Sequence, residues 1–240
     1  MTPEHDRTAH DRTGPLPCAL ITGASRGVGA RVARALAPTH RLILGGRGSA
    51  ELDAMAVEFD DAVTLAVDLT DYDAVAAAVE TVTELNVLVH CAGIASSLEA
   101  VADTPVDEWR ALLEVNVVAA AELTRLLLPA LRASGHGHVV FLNSGAGQNV
   151  RAHWTPYAAS KFALRALADG LRAEEPSLRV TSIFPGRIDT DMQRDIVARE
   201  GRDYDGSKFL RPETVAAAVA QVIAAPADAD PTEITVRPRG

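Results

Sequence analysis

Two cysteines, Cys18 and Cys91, are all that 240 residues contain, and both sit in apolar, strand-like runs. No Cys/His spacing suited to a metal accompanies them, so reduced, buried thiols are expected and no metal site is. Positive charge is also in deficit: 23 Lys and Arg stand against 32 Asp and Glu, a net charge of −9. That balance argues against nucleic acid and anionic membranes as partners and leaves room only for a local basic pocket. No apolar run approaches the roughly 18 residues of a membrane span, and the stretch from Met1 to Pro17 is polar rather than signal-like. A soluble, cytoplasmic protein is the expectation. Internal repeats, low-complexity tracts and domain linkers are missing as well.

What is present reads as one α/β domain. Hydrophobic residues make up 48% and charged residues 23%, enough to bury a substantial core at this length. Residues 1–15 have no periodicity and are expected to form a disordered or loosely attached arm, with a single catalytic-size domain over 16–240. Apolar runs at Leu16–Thr22, Arg41–Leu44, Ala62–Val67, Asn86–His90, His138–Asn143, Arg179–Phe184 and Glu233–Arg237 read as strands. Helical patterns alternate with them: after Gly29, from Asp71 to Glu84, from Thr104 to Ala133, after Tyr157, and from Pro212 to Ala225. Thr104 is expected as cap with Pro105 at the first helical position, and interruptions are expected near Asn116 and Pro129. Such alternation means a doubly wound parallel sheet of about seven strands with helices on both faces. Residues 191–210 lack strong periodicity and are expected to act as a lid over a substrate.

The first strand runs into Thr22-Gly23-Ala24-Ser25-Arg26-Gly27-Val28-Gly29 and then a helix. Glycines there let a backbone approach a pyrophosphate resting on the positive end of the helix. The spacing differs from the general dinucleotide fingerprint, and a turn that merely needs glycine would look alike. At the end of the second strand, where an acid would bind ribose hydroxyls, stands Gly45-Gly46-Arg47-Gly48. Arg47 with Arg26, and no carboxylate, favours NADP(H) over NAD(H); the plain alternative for Arg47 is a solvated loop cation. Asp71 is placed to cap the next helix, and for Asp68 a capping role and an adenine-edge role both stay open. The fourth strand closes in Cys91-Ala92-Gly93, small enough for a ligand's close approach.

Tyr157 and Lys161 lie four residues apart on a helical pattern, and so on one face. A neighbouring ammonium favours phenolate and is expected to lower the tyrosine from its usual pKa of about 10 towards neutrality. Ser144, at the carboxyl end of the fifth strand, is placed to hydrogen-bond an oxygen that develops charge. Taken alone, Tyr-x-x-x-Lys is also an ordinary amphipathic fragment. Asn116, among Val115, Val117 and Val118, is a buried amide that needs partners, backbone groups among them.

Together and in this order, these motifs resemble the short-chain dehydrogenase/reductase family over about Pro17 to Gly240. The resemblance implies a Rossmann-type fold and a catalytic tetrad of Asn116, Ser144, Tyr157 and Lys161. Tyr157 would be the acid/base, Ser144 would orient the carbonyl, and Lys161 would hold the nicotinamide ribose and lower the tyrosine pKa. Asn116 would hold a proton-relaying water. It also implies a cofactor site from Gly23, Ser25, Arg26, Gly27, Val28, Gly29, Arg47, Asp68, Leu69, Ala92 and Gly93, continued by Tyr157, Lys161, Pro185, Gly186, Ile188 and Thr190. Ser144, Gly145, His153, Trp154, Tyr157 and Met192 are the expected substrate contacts, for a partly apolar carbonyl compound of medium size. The implied activity is NADP(H)-dependent hydride transfer between a carbonyl and an alcohol, in a homodimer or homotetramer. An NAD(H)-linked alcohol dehydrogenase and a non-catalytic cofactor-binding sensor or scaffold are the alternatives. Two departures stand out. The family's Asn-Asn-Ala-Gly reads His90-Cys91-Ala92-Gly93, which puts strand anchoring in question. The last strand is followed only by Arg237-Pro238-Arg239-Gly240, where longer family tails often complete the pocket or a tetramer contact.

Overall fold

The computed structural model describes residues 16–239; the arm expected over 1–15 lies outside them. Seven strands alternate with helices: β1 (Cys18–Thr22), α1 (Gly27–Leu36), β2 (Arg41–Gly46), α2 (Ala50–Ala56), β3 (Ala62–Ala66), α3 (Tyr72–Val79), β4 (Val87–His90), α4 (Val106–Leu113), α5 (Ala119–Ala133), β5 (His138–Leu142), α6 (Thr155–Glu174), β6 (Arg179–Pro185), α7 (Asp191–Arg199), α8 (Pro212–Ile223) and β7 (Glu233–Val236). The strand order is β3-β2-β1-β4-β5-β6-β7, and every pairing is parallel. The order reverses between β1 and β4, so the carboxyl ends of these two strands part and open a crevice.

β1, β4 and β5 are apolar because helices cover both faces of the sheet there. One core layer joins α1, α2 and α8 to the sheet through residues such as Val32, Leu36, Leu52 and Val219. The other joins α3, α5 and α6 through Val75, Leu123, Leu127 and Leu164. The edge strands β3 and β7 keep exposed positions. They are less apolar than the uniform burial expected from the alternation.

Several local expectations are corrected. Thr104 does not cap α4; its hydroxyl donates to Ala100 O at 2.9 Å, and Pro105 is the capping residue. The interruption near Asn116 is a π-helical turn, Glu114–Val118, between α4 and α5. Pro129 sits inside α5 without breaking it. The helix after Asp71 stops at Val79, short of Glu84. Within 191–210, α7 is a regular helix capped by Thr190, whose hydroxyl accepts from Gln193 N at 3.3 Å. No helix among the described residues is long and apolar enough to cross a membrane.

Candidate active site

At the carboxyl ends of the central strands lies a cleft of about 970 Å³. Its floor is the turn between β1 and α1. Gly23 has φ +64°, and a methyl group there would come 3.0 Å from Ala92 N; only glycine suits both the conformation and the contact. A methyl group at Gly29 would overlap the Gly23 carbonyl oxygen. The helix α1 begins without a side-chain cap and with no acid in its first turn, so its leading amides and positive dipole end stay available to an anion. Arg26 and Arg47 border this end of the cleft, and neither forms an ion pair with a described residue. Asp68 borders it too, turned onto Thr70: its carboxylate accepts from Thr70 N at 3.0 Å and Thr70 Oγ1 at 2.8 Å. Those bonds hold its pKa below the usual value. Asp71 caps α3 by accepting from Ala74 N at 3.1 Å.

Thr22 ties the end of β1 to the end of β4. Its hydroxyl oxygen accepts from Cys91 N and Ala92 N, each at 3.1 Å. His90 anchors β4 from the other side, with Nε2 2.9 Å from Thr124 Oγ1 in α5 and the ring stacked on Phe141 at 4.9 Å. Burial pushes His90 down to about 3, so the imidazole is neutral. The strand that seemed to lack an anchor has two. Cys91 borders the cleft, and burial pushes its thiol up to about 12, leaving it unreactive at neutral pH.

The chemical groups gather at the other end. Ser144 follows β5, and its backbone N–H donates to Asn143 Oδ1 at 2.8 Å. Asn143 Nδ2 in turn donates to Lys161 O at 3.1 Å, fixing the serine loop to α6. Tyr157 and Lys161 face the cleft from α6, with Lys161 Nζ 5.8 Å from the tyrosine ring centre. Lys161 Nζ donates to Leu142 O at 3.2 Å. It also lies 3.7 Å from where a side chain at Gly93 would begin. Burial lowers its pKa to about 8.

One expectation fails here. Tyr157 is raised, not lowered: burial pushes the phenol above its usual 10.0, and the neighbouring Ser144 hydroxyl only partly offsets this. Lys161 is itself desolvated and directed at a carbonyl, so it does not bring the phenol to neutrality. Asn116 borders no part of the cleft. Its Oδ1 accepts from Ile94 N at 2.8 Å, and its Nδ2 donates to Ile94 O at 3.1 Å and Ser160 Oγ at 3.0 Å. The amide is satisfied by protein groups and clamps the segment after β4.

The remaining expected residues divide cleanly. Ser25, Gly27, Val28, Leu69, Ala92, Pro185, Gly186, Ile188 and Thr190 all border the cleft, as do Gly145, Trp154 and Met192. The Trp154 ring meets Tyr157 edge-on at 5.9 Å. His153 is exposed, at φ +67° in the turn before α6, and lies outside the cleft. Residues missed from sequence include Thr22, Asn143, Ser160 and Gln193. The buried Gln193 borders the cleft, and its Nε2 has no partner among the described residues. Asn143 had a signal, a polar residue closing an apolar strand. Thr190 and Gln193 also form a Thr-x-x-Gln helix-start pattern.

Comparison with known proteins agrees with this geometry. Residues 17–201 match the short chain dehydrogenase family. An uncharacterized oxidoreductase of Staphylococcus haemolyticus is 33% identical over 229 residues, covering 92% of this chain and 96% of that protein. A Saccharomyces cerevisiae benzil reductase, forming (S)-benzoin, is 31% identical, covering 85% of this chain and 89% of its own. The crystal structure of an alcohol dehydrogenase from the archaeon Thermococcus sibiricus, complexed with 5-hydroxy-NADP, superposes with a TM-score of 0.81 at 26% identity, covering 92% of this chain and 96% of that one. With the glycine turn, the Ser144–Tyr157–Lys161 cluster and these relatives in place, the chain belongs to the short-chain dehydrogenase/reductase family of oxidoreductases.

Proposed function

We propose that the protein interconverts a carbonyl compound and the corresponding alcohol with NADP(H), Tyr157 acting as acid and base. The observation that carries this reading is the convergence of Ser144, Tyr157 and Lys161 on one wall of a cleft whose other end is a glycine-lined helix start. The residues fit a dinucleotide: bare glycines where a side chain would intrude, uncapped amides of α1, and two arginines that form no close ion pair with a described residue. Gly23, Gly29 and the first turn of α1 would hold the pyrophosphate. Arg26 and Arg47 would hold a 2′-phosphate, and Lys161 the nicotinamide ribose. The Thermococcus sibiricus relative carries a modified NADP, which supports the phosphorylated form. When bound, the dinucleotide supplies or accepts the hydride.

The chain's own part is to position and to move protons. Ser144 and Tyr157 would hold the carbonyl oxygen between their hydroxyls and donate as negative charge grows there, an effect worth a few kcal/mol per donor. In reduction, Tyr157 yields its proton to that oxygen; in oxidation it takes one. A raised phenol pKa keeps the proton on Tyr157 at neutral pH, as a donor in reduction requires. Helix α7 and the residues after it, bordering the cleft with Met192, Ile196 and Phe209, would close over the substrate. Leu113, Val118 and Phe162, apolar yet exposed on α4, the π-helical turn and α6, support a homodimer or homotetramer through these helices.

The test is oxidation of NADPH against ketones, aldehydes and quinones, with NADH in parallel. Turnover with NADPH supports the reading. Tight NADPH binding with no turnover across the panel would favour a cofactor-binding scaffold.

A further inference from the structure

Beyond Ser144 the cleft is walled by an arginine that follows the last strand. The Arg237 guanidinium lies against Gly145: a methyl group on that glycine would come 3.2 Å from Nη2 and 3.3 Å from Cζ and Nη1. A side chain after Ser144 would press the guanidinium back by a few tenths of an ångström. Nη1 donates to Phe184 O at 2.7 Å and more weakly to Val236 O at 3.5 Å, and Nη2 donates to Gln148 Oε1 at 3.0 Å. These three bonds pin the plane of the guanidinium, and all go to neutral acceptors. A guanidinium has five N–H donors, so two remain, and no carboxylate among the described residues offsets the charge. Arg151, on the loop between β5 and α6, borders the same cleft and likewise forms no ion pair with a described residue.

Two of the other cations near this end have acid partners, and a third is held by a carbonyl. Arg187 pairs with Glu200 at 2.8 Å, Lys208 pairs with Asp205 at 3.2 Å, and Arg199 donates to Ser96 O at 2.6 Å. In a chain with a net charge of −9, an acid partner for two more arginines was readily available. Instead the positive charge is left facing the cleft beside the Ser144 loop. A planar fork held rigid by its own backbone contacts matches a carboxylate, and loses little freedom when it binds one.

We propose that the substrate carries a carboxylate close to the reacting carbonyl or alcohol, so that it is an oxo acid or hydroxy acid, and that Arg237, helped by Arg151, receives that group. This rests on the carbonyl–alcohol reading above. It also gives Arg237 a role in choosing the substrate, apart from any part in supporting the loop.

The experiment measures NADPH oxidation with pyruvate, acetoacetate, phenylglyoxylate and levulinate, each beside its methyl ester. At least one acid should exceed its ester in kcat/KM by about 10- to 100-fold, the range of one or two charge-assisted hydrogen bonds. Arg237→Gln should raise KM for that acid by a similar factor while altering the ester far less, and Arg237→Lys should restore part of the difference. Arg151→Gln, on an exposed loop, should raise KM for the acid by a smaller factor with the fold intact. Equal use of acid and ester by the unaltered protein would overturn the proposal, as would an equal loss for both in Arg237→Gln, the sign of a purely supporting role. Turnover of esters alone defeats this inference only. No turnover of either class overturns this inference, and the carbonyl–alcohol reading falls with it only if the wider panel of ketones, aldehydes and quinones is inert as well.

Discussion

Replacing Lys161 with methionine removes a buried charge while keeping most of the aliphatic stem, and the consequence for stability can be worked out from the fold. Lys161 is only 4% exposed, and burial brings its pKa from 10.5 down to about 8. Below pH 8 or so the ammonium is charged in both folded and unfolded chains, and the folded state bears the full penalty of burying it. As pH rises from about 8 to about 10.5 the folded chain releases this proton while the unfolded chain keeps it, so stability increases. The slope approaches about 1.4 kcal/mol per pH unit, and over the whole interval the gain is about 3 kcal/mol. Cys91 works in the opposite sense: its thiol is pushed up to about 12 from 9.0, so the unfolded chain loses that proton first and stability falls as pH rises through this window. Losing the Lys161 charge only raises the Cys91 thiol further, so it stays protonated in both folded proteins across this window and its contribution cancels on subtraction. The assay is urea unfolding of both proteins at several pH values from about 7 to about 10.5. Lys161→Met should be the more stable at the lower end, and the unaltered protein should gain on it by about 3 kcal/mol towards the upper end. Parallel stability curves would refute the argument that Lys161 is buried and strained as a cation.

Other consequences can be checked separately. Gly29→Ala places a methyl group on the Gly23 carbonyl, and overpacking of this kind typically costs about 1–3 kcal/mol. NADPH affinity, read by fluorescence quenching, should fall by about 10- to 100-fold; unchanged affinity would remove the glycine turn from the site. Arg47→Asp should shift cofactor preference towards NADH, measured as the ratio of the two kcat/KM values, and a constant ratio would show that Arg47 is not the selector. Asn116→Ala breaks three hydrogen bonds that hold Ile94 and Ser160. It should lower stability by about 2–4 kcal/mol, which thermal unfolding would show as a fall of several degrees. A fall near zero would mean the clamp is dispensable.

Much of the architecture could be read from the chain because its signals are local. All seven strands lie within a few residues of their expected runs: β1, β4 and β5, covered on both faces, are apolar nearly throughout, and the edge strands β3 and β7 keep enough apolar residues to be seen. The glycine turn and the Tyr157–Lys161 spacing were equally visible. What escaped depends on groups far apart in the chain. Arg237 meets Gln148 across 89 positions and Asn116 meets Ser160 across 44, and no spacing rule reports such pairs. The direction of the Tyr157 shift escaped for a related reason. Helical spacing puts Lys161 near the ring, but how far each group is buried, and where Nζ points, are set by Leu142 and Gly93. Helix α7 was hidden by its many charged residues, although Thr190-Asp191-Met192-Gln193 carried a start signal.

The proposed proton transfer depends most directly on the phenol of Tyr157, and Tyr157→Phe isolates it by deleting one oxygen atom. NADPH affinity should stay within about 3-fold of the unaltered protein, because the glycine turn and the arginines are untouched. The turnover number for a carbonyl that the protein reduces should fall by about 100-fold or more, as expected on losing a general acid that is also an oxyanion donor. A variant that binds NADPH normally and reduces the same carbonyl at close to the original rate would contradict the assignment of Tyr157 as acid and base.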